Sequence, residues 1–127
     1  MLKKEINQNL PTQADVSKFE MLEKLLVSIY DEMKEFSKKK PDEILNKFKV
    51  KNINRVLEQI KEILKREPTN EFLDLLDEES LPSNSDCILI IGQFNASMKQ
   101  FRSKYHGWTG IDYTWSTKEN PKTFSSI

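Results

Sequence analysis

Apolar residues return at helical spacing along three stretches of the chain. In the most apolar of them Cys87, Ile91, Phe94, Met98, Phe101 and Tyr105 step by four, three, four, three and four residues, the period that brings side chains back to one face of an α-helix. Its first turn, Cys87 to Ile91, is apolar at every position. Five apolar residues in a row also suit a buried strand, but the periodicity continuing through Tyr105 decides for a helix. An all-round apolar turn implies neighbouring helices on several sides. Leu81-Pro82 lead into it, and Ser83, Asn84, Ser85 and Asp86 are all cap-type residues. The expected central helix runs over about 85–105, with Lys99, Gln100, Arg102 and Ser103 facing out. Gly92 costs about 1 kcal/mol relative to alanine inside a helix, which points to a crossing helix approaching closely there.

Two further stripes supply such neighbours. Phe19, Leu22, Leu26, Ile29, Met33 and Phe36, widened by Leu25 and Tyr30, mark a helix over about 14–38. Thr12 and Ser17 each precede an acid by three residues, the arrangement of a capping box, and Lys38–Lys40 followed by Pro41 suit its end. Ile53, Val56, Leu57, Ile60, Ile63 and Leu64 mark another helix over about 53–66, with Asn52 as its cap and Pro68 beyond it. Two short helices are expected between these. One starts at Pro41 and runs to about Lys47, burying Ile44, Leu45 and Phe48, with Phe48–Lys51 as a connector. The other follows Thr69 or Asn70 and buries Phe72, Leu73 and Leu75 or Leu76; the acidic run Asp77–Glu79 leaves it for solvent.

From His106 the pattern changes. Gly107 is placed to stop the central helix in the left-handed conformation. Ile111, Tyr113 and Trp115 alternate with polar residues, which hints at an extended segment, and Asn120-Pro121 marks a turn. The predicted fold class is all-α: a small bundle of three principal and two short helices with an irregular aromatic C-terminal tail. Residues 1–11 are read as a flexible N-terminus, 12–106 as one helical domain and 107–127 as a tail packed on it, which suits a length of 127 residues.

Charge is balanced overall, with 20 basic and 20 acidic side chains, but it is unevenly placed. Residues 1–67 hold 15 basic and 12 acidic groups, 68–86 hold none and six, and 87–127 hold five and two. A strongly basic nucleic-acid module is thereby excluded, whereas a local basic face is not. Cys87 is the lone cysteine and His106 the lone histidine, so neither an internal disulfide nor a cysteine-based zinc site can form. No cofactor or metal is expected. With no apolar leader and no run of about 18–20 apolar residues, the reading is a cytoplasmic chain without a membrane partner. Walker loops, dinucleotide fingerprints, HExxH, nucleophile elbows and EF-hand loops are absent from the sequence.

Four groups could carry function. Arg102 and His106 lie four positions apart at the end of the central helix. This resembles the arginine and histidine of HEPN-type helical ribonucleases, where the arginine stabilises phosphoryl charge and the imidazole moves a proton. Those enzymes place four to six residues between the pair, and here three intervene. A histidine interacting with helix-end carbonyls is the plainer reading. Cys87 at a helix N-terminus could be an activated thiol, but a small buried residue explains it more simply. The rings of Tyr105, Trp108, Tyr113 and Trp115, with Arg102, are candidates for docking a partner, against the alternative of a tail folded back on the bundle. Lys38, Lys39, Lys40, Lys47, Lys49 and Lys51, with Lys34 nearby, form a candidate basic patch for an acidic partner or a nucleic-acid backbone, against the alternative of a solvated surface.

The second half also carries a family-like pattern. Ile88-Leu89-Ile90-Ile91-Gly92-Gln93-Phe94-Asn95, then Lys99, Gly110-Ile111-Asp112-Tyr113 and Asn120, is similar to the small helical effector-associated domains of bacterial conflict systems. The similarity covers about residues 53–120; Pro121 falls where that family continues its last helix, and the first helix has no counterpart in it. The resemblance implies a death-like adaptor that joins a sensor to an effector without catalysis, with Gly92, Phe94 and Asn95 structural. The expected function is therefore a non-enzymatic protein-interaction module, self-associating or binding another protein, in bacterial defence or stress. The alternatives are an HEPN-like ribonuclease or toxin using Arg102 and His106, and a weak nucleic-acid binder using the lysines.

Overall fold

A computed structural model describes residues 9–125. Among them the chain forms helix α1 (Gln13–Lys39), helix α2 (Lys47–Ile63), a 3₁₀ turn (Pro68–Phe72), helix α3 (Asn84–Tyr105) and an antiparallel hairpin of β1 (His106–Trp108) and β2 (Tyr113–Trp115). The fold is mostly helical, and α1 packs on both α2 and α3.

α1 begins at the capping box. Thr12 Oγ1 accepts from the Asp15 N–H at 3.0 Å, and the Asp15 carboxylate accepts from the Thr12 N–H at 3.1 Å, so two orphan donors are satisfied reciprocally. Val16, Phe19, Leu22, Leu26 and Met33 are buried, whereas Leu25, expected to widen that face, is 46% exposed. Of the N-terminal segment expected to be flexible, residues 1–8 lie outside the described residues, and Leu10 and Pro11 are buried.

The short helix expected at 41–47 does not form. Its backbone groups go to the entry of α3 instead. The Leu45 N–H donates to Pro82 O at 2.9 Å, the Asn84 N–H to Glu43 O at 2.8 Å and the Ser85 N–H to Pro41 O at 3.0 Å. These long-range bonds compete successfully with a single local turn, because a short helix is costly to nucleate. Asn46 then caps α2, its Oδ1 accepting from the Lys49 N–H at 2.8 Å. Asn52, expected as the cap, sits within the helix and donates to Phe48 O at 2.8 Å. The expected connector 48–51 is thus helical; Leu45 is buried, but Ile44 and Phe48 are not. The helix ends at Ile63, three residues before the expected stop.

After α2 the expected short helix is a 3₁₀ turn opening at Pro68, with no side-chain cap. Leu73 and Leu76 reach the core and Phe72 stays 65% exposed. The following segment is pinned by Asn54, a buried residue of α2. Its Nδ2 donates to Leu76 O and its Oδ1 accepts from the Leu76 N–H, both at 2.9 Å. One amide thereby satisfies both backbone groups of a buried loop residue, as a neighbouring strand would.

In α3, capped by Ser83, the predicted stripe from Cys87 to Tyr105 is buried throughout. The expectation of helices all round its first turn is too strong: Leu89 is 63% exposed, while Ile88 and Ile90 are half-buried. Gly92 does face a crossing helix, since a Cβ there would lie 3.2 Å from Tyr30 Oη of α1.

The first part of the tail is a hairpin rather than irregular, whereas 116–125 carry no helix or strand. His106 pairs with Trp115 and Trp108 with Tyr113. Gly107 does not end the helix in a left-handed conformation; it lies in β1, and a Cβ on it would sit 3.0 Å from the Phe124 ring. The positive φ falls on Gly110, at 104°, in the hairpin turn. Beyond the hairpin, Ser116 N–H donates to Tyr105 O at 2.8 Å and Lys118 N–H to Pro11 O at 2.9 Å. The tail therefore ties the end of α3 to the start of α1.

Candidate functional site

Arg102 and His106 part company in the structure. Arg102, expected to face outward, is only partly exposed. Its Nη2 donates to Glu23 Oε1 at 2.6 Å and its Nε to Glu23 Oε2 at 3.2 Å. The guanidinium lies over the Trp115 ring, 5.1 Å from its centre, and 5.8 Å from that of Phe19. The hydrogen bonds it donates to Glu23 raise the arginine's pKa further, so the charge is permanent and committed to a carboxylate of α1. His106 opens β1 in an extended conformation, its ring stacked on Tyr113 at 6.5 Å and edge-on to Trp115 at 5.2 Å.

The hairpin register places His106, Trp108, Tyr113 and Trp115 on one face of the ribbon. At the inner end Trp115 meets Phe19 edge-on, 5.5 Å between centres. At the outer end Tyr113 is 71% exposed, next to a turn where Ile111 is 88% exposed. Trp108 and Trp115 are half-buried. Tyr105, placed among the docking rings from sequence, belongs to the core; its Oη donates to Glu67 Oε2 at 2.9 Å. Burial and that carboxylate push the phenol's pKa upward. Glu67 is itself buried and also faces Lys104 at 3.4 Å. The ladder of rings is mostly a clamp between tail and bundle, with Tyr113 and Ile111 its exposed end.

Cys87 is buried at the start of α3, and burial pushes its thiol up to about 12. Desolvation overrides the helix N-terminus here, so the neutral thiol is a packing group. Among the described residues no group of three or more His, Cys, Asp or Glu side chains could hold a metal ion. No helix of the described residues is long and apolar enough to cross a membrane.

Of the lysines in the candidate basic patch, Lys49 lines an open apolar groove. Between the C-terminal half of α1 and the N-terminal half of α2 lies a groove of about 180 Å³, lined by Ile29, Met33, Phe36, Phe48 and Ile53 with Glu32, Lys49 and Asn52. Phe36 is 38% exposed and Phe48 76%. Lys49 Nζ lies 4.5 Å from the Phe36 ring centre, a cation–π contact. Lys38 pairs with Glu35 and Lys40 with Glu43, both on the exposed surface. Among the described residues Lys39, Lys47 and Lys51 make no ion pair. Lys47, Lys49 and Lys51 also open α2 with no acid in its first turn, which sets cations against the positive end of the helix dipole.

Sequence reasoning missed this groove because it assigned Phe48 to a buried short helix. The signal was the phase of α2. Its buried stripe runs through Val50, Ile53, Leu57 and Ile60, and Phe48, two residues ahead of Val50, points about 200° away round the helix. Starting the helix at Lys47 would have placed Phe48 outside the core.

Compared with protein-family models, curated proteins and solved structures, the chain matches none.

Proposed function

We propose that this chain is a non-enzymatic helical protein-interaction module that docks a polypeptide in the groove between α1 and α2, the adaptor role that the resemblance to effector-associated domains implies. One observation carries the reading: Phe48, 76% exposed, stands beside Phe36 over an open apolar groove. Leaving such a side chain in water forgoes about 2 kcal/mol of burial, and exposed aromatics beside a cavity are the usual anchors of an interface. Lys49 on the groove wall, and the unpaired Lys39, Lys47 and Lys51 on the two helices that form it, favour an acidic occupant and steer its approach. The exposed Tyr113 and Ile111 offer a second, smaller contact at the hairpin tip.

The test is affinity capture from a lysate of the source organism with the wild-type chain and a Phe48→Ser variant, each verified as folded by circular dichroism. Phe48 packs little in the free protein, so the variant keeps its fold. Specific capture by the wild type that Phe48→Ser abolishes supports the reading. Equal capture by both, or capture of neither another protein nor a further copy of the chain, overturns it.

A further inference from the structure

Taking the groove as a docking site, and resting on that reading, we infer that its occupant is the acidic 3₁₀ segment of a second copy of this chain, with Phe72 entering the groove. Phe72 is 65% exposed and closes the turn Pro68–Phe72. Exposed Glu71 and Asp74 flank it, and Asp77, Glu78 and Glu79 follow. Residues 68–86 hold six acidic and no basic side chains, whereas 34–51 hold seven lysines against three acids. Among the described residues the two clusters make no ion pair with each other, and Lys34, Lys38 and Lys40 pair only with acids close to them in sequence, Asp31, Glu35 and Glu43. Among the described residues neither Glu71, Asp74, Glu78 nor Glu79 makes an ion pair, and neither do Lys39, Lys47 and Lys51.

Size and geometry agree with the assignment. An apolar cavity of about 150 Å³ is enough to hold a benzene ring, and the groove offers about 180 Å³ lined mainly by apolar side chains. Phe72 does not line the groove of its own copy. The segment is fastened along α2 by Asn70 Nδ2 donating to Lys61 O at 3.0 Å and by the paired bonds of Asn54 to Leu76. The groove lies between α1 and the first turns of the same helix. Donor and acceptor faces are therefore different patches of one molecule. Contacts of that kind are head-to-tail, and they extend into open chains unless the rotation closes a ring. Acidic groups arriving beside Lys47, Lys49 and Lys51 also relieve the unfavourable charge at the α2 N-terminus.

Sedimentation velocity on the purified full chain, at rising concentration and at low and high salt, tests this with Phe48→Ser and Phe72→Ser. Both residues are exposed, so both variants fold, which circular dichroism verifies. The wild type is expected to grow beyond a dimer with concentration, more weakly at high salt. Each variant alone is expected to associate about thirtyfold more weakly. An equimolar mixture of the two has one intact groove and one intact Phe72 between partners, so it forms a dimer that does not extend. A wild type that stays monomeric, variants that associate as the wild type does, or a mixture that forms no dimer overturns the inference. If the wild type is monomeric yet Phe48-dependent capture from lysate persists, the groove reading stands and the occupant is another acidic protein. If capture fails too, the groove reading falls with it.

Discussion

Arg102 and Glu23 join α3 to α1 through two hydrogen bonds of 2.6 and 3.2 Å, and the same guanidinium covers the ring of Trp115. Three elements, the two helices and the hairpin, meet on that one side chain. Arg102→Ala and Glu23→Ala are each expected to cost about 1–2 kcal/mol, a charged hydrogen bond discounted because about a third of each side chain is exposed. Urea titrations of both single variants and the double variant check this, and the cycle should show coupling. Arg102→Lys should not restore stability, because an ammonium neither binds both carboxylate oxygens nor stacks on the indole. Incubated with RNA, the wild type and a His106→Ala variant are expected to leave it equally intact. RNA cleavage that the variant loses would refute the non-enzymatic reading.

Asn54 is expected to be the most sensitive polar position in the core. Asn54→Ala leaves both the N–H and the C=O of buried Leu76 without their partner. Each unsatisfied group costs about 1–3 kcal/mol, so a loss of at least about 2 kcal/mol in the unfolding free energy is expected from urea titration. Asn54→Leu should fare no better, since filling volume does not replace the bonds. A neutral result for either would show that the 73–76 segment does not depend on α2.

Gly92→Ala should depend on the residue opposite. Helix propensity favours alanine by about 1 kcal/mol, but its Cβ would press on Tyr30 Oη at 3.2 Å. In the wild-type background the two effects nearly cancel. In a Tyr30→Phe background the oxygen is gone and Gly92→Ala is expected to stabilise by about 1 kcal/mol, read as a higher melting temperature. The same small effect in both backgrounds would refute the close approach.

Cys87 sets an alkaline limit. A thiol whose pKa is pushed to about 12 in the folded chain binds its proton more tightly there than in the unfolded chain, where it titrates near its ordinary value. The stabilisation is complete below the unfolded pKa and is lost as pH rises from there toward 12. Urea stability should therefore fall between about pH 8.5 and pH 12, and Cys87→Ala should flatten part of that fall. Tyr105, also pushed upward, adds to the loss at the upper end of the range. At neutral pH a thiol reagent should modify Cys87 only after denaturant is added; rapid reaction in buffer would contradict its burial.

Part of what the chain announces locally holds in the fold. The stripes of α1 and α3, the Thr12–Asp15 capping box, the serine before α3 and the glycine facing a crossing helix are all present. Each rests on residues three or four apart, so neighbouring side chains already contain the information. The segment 41–46, Asn54, Arg102 and the hairpin differ because their partners are remote. Pro41–Leu45 bonds to residues 82–85, Asn54 to Leu76 across 22 positions, and Arg102 to Glu23 across 79. No local period encodes such pairs; they exist only once the helices have packed. The same holds for the groove. The lysines and Phe48 were visible in the sequence, but only the packing of α1 against α2 decided that Phe48 and Phe36 would stand open beside them.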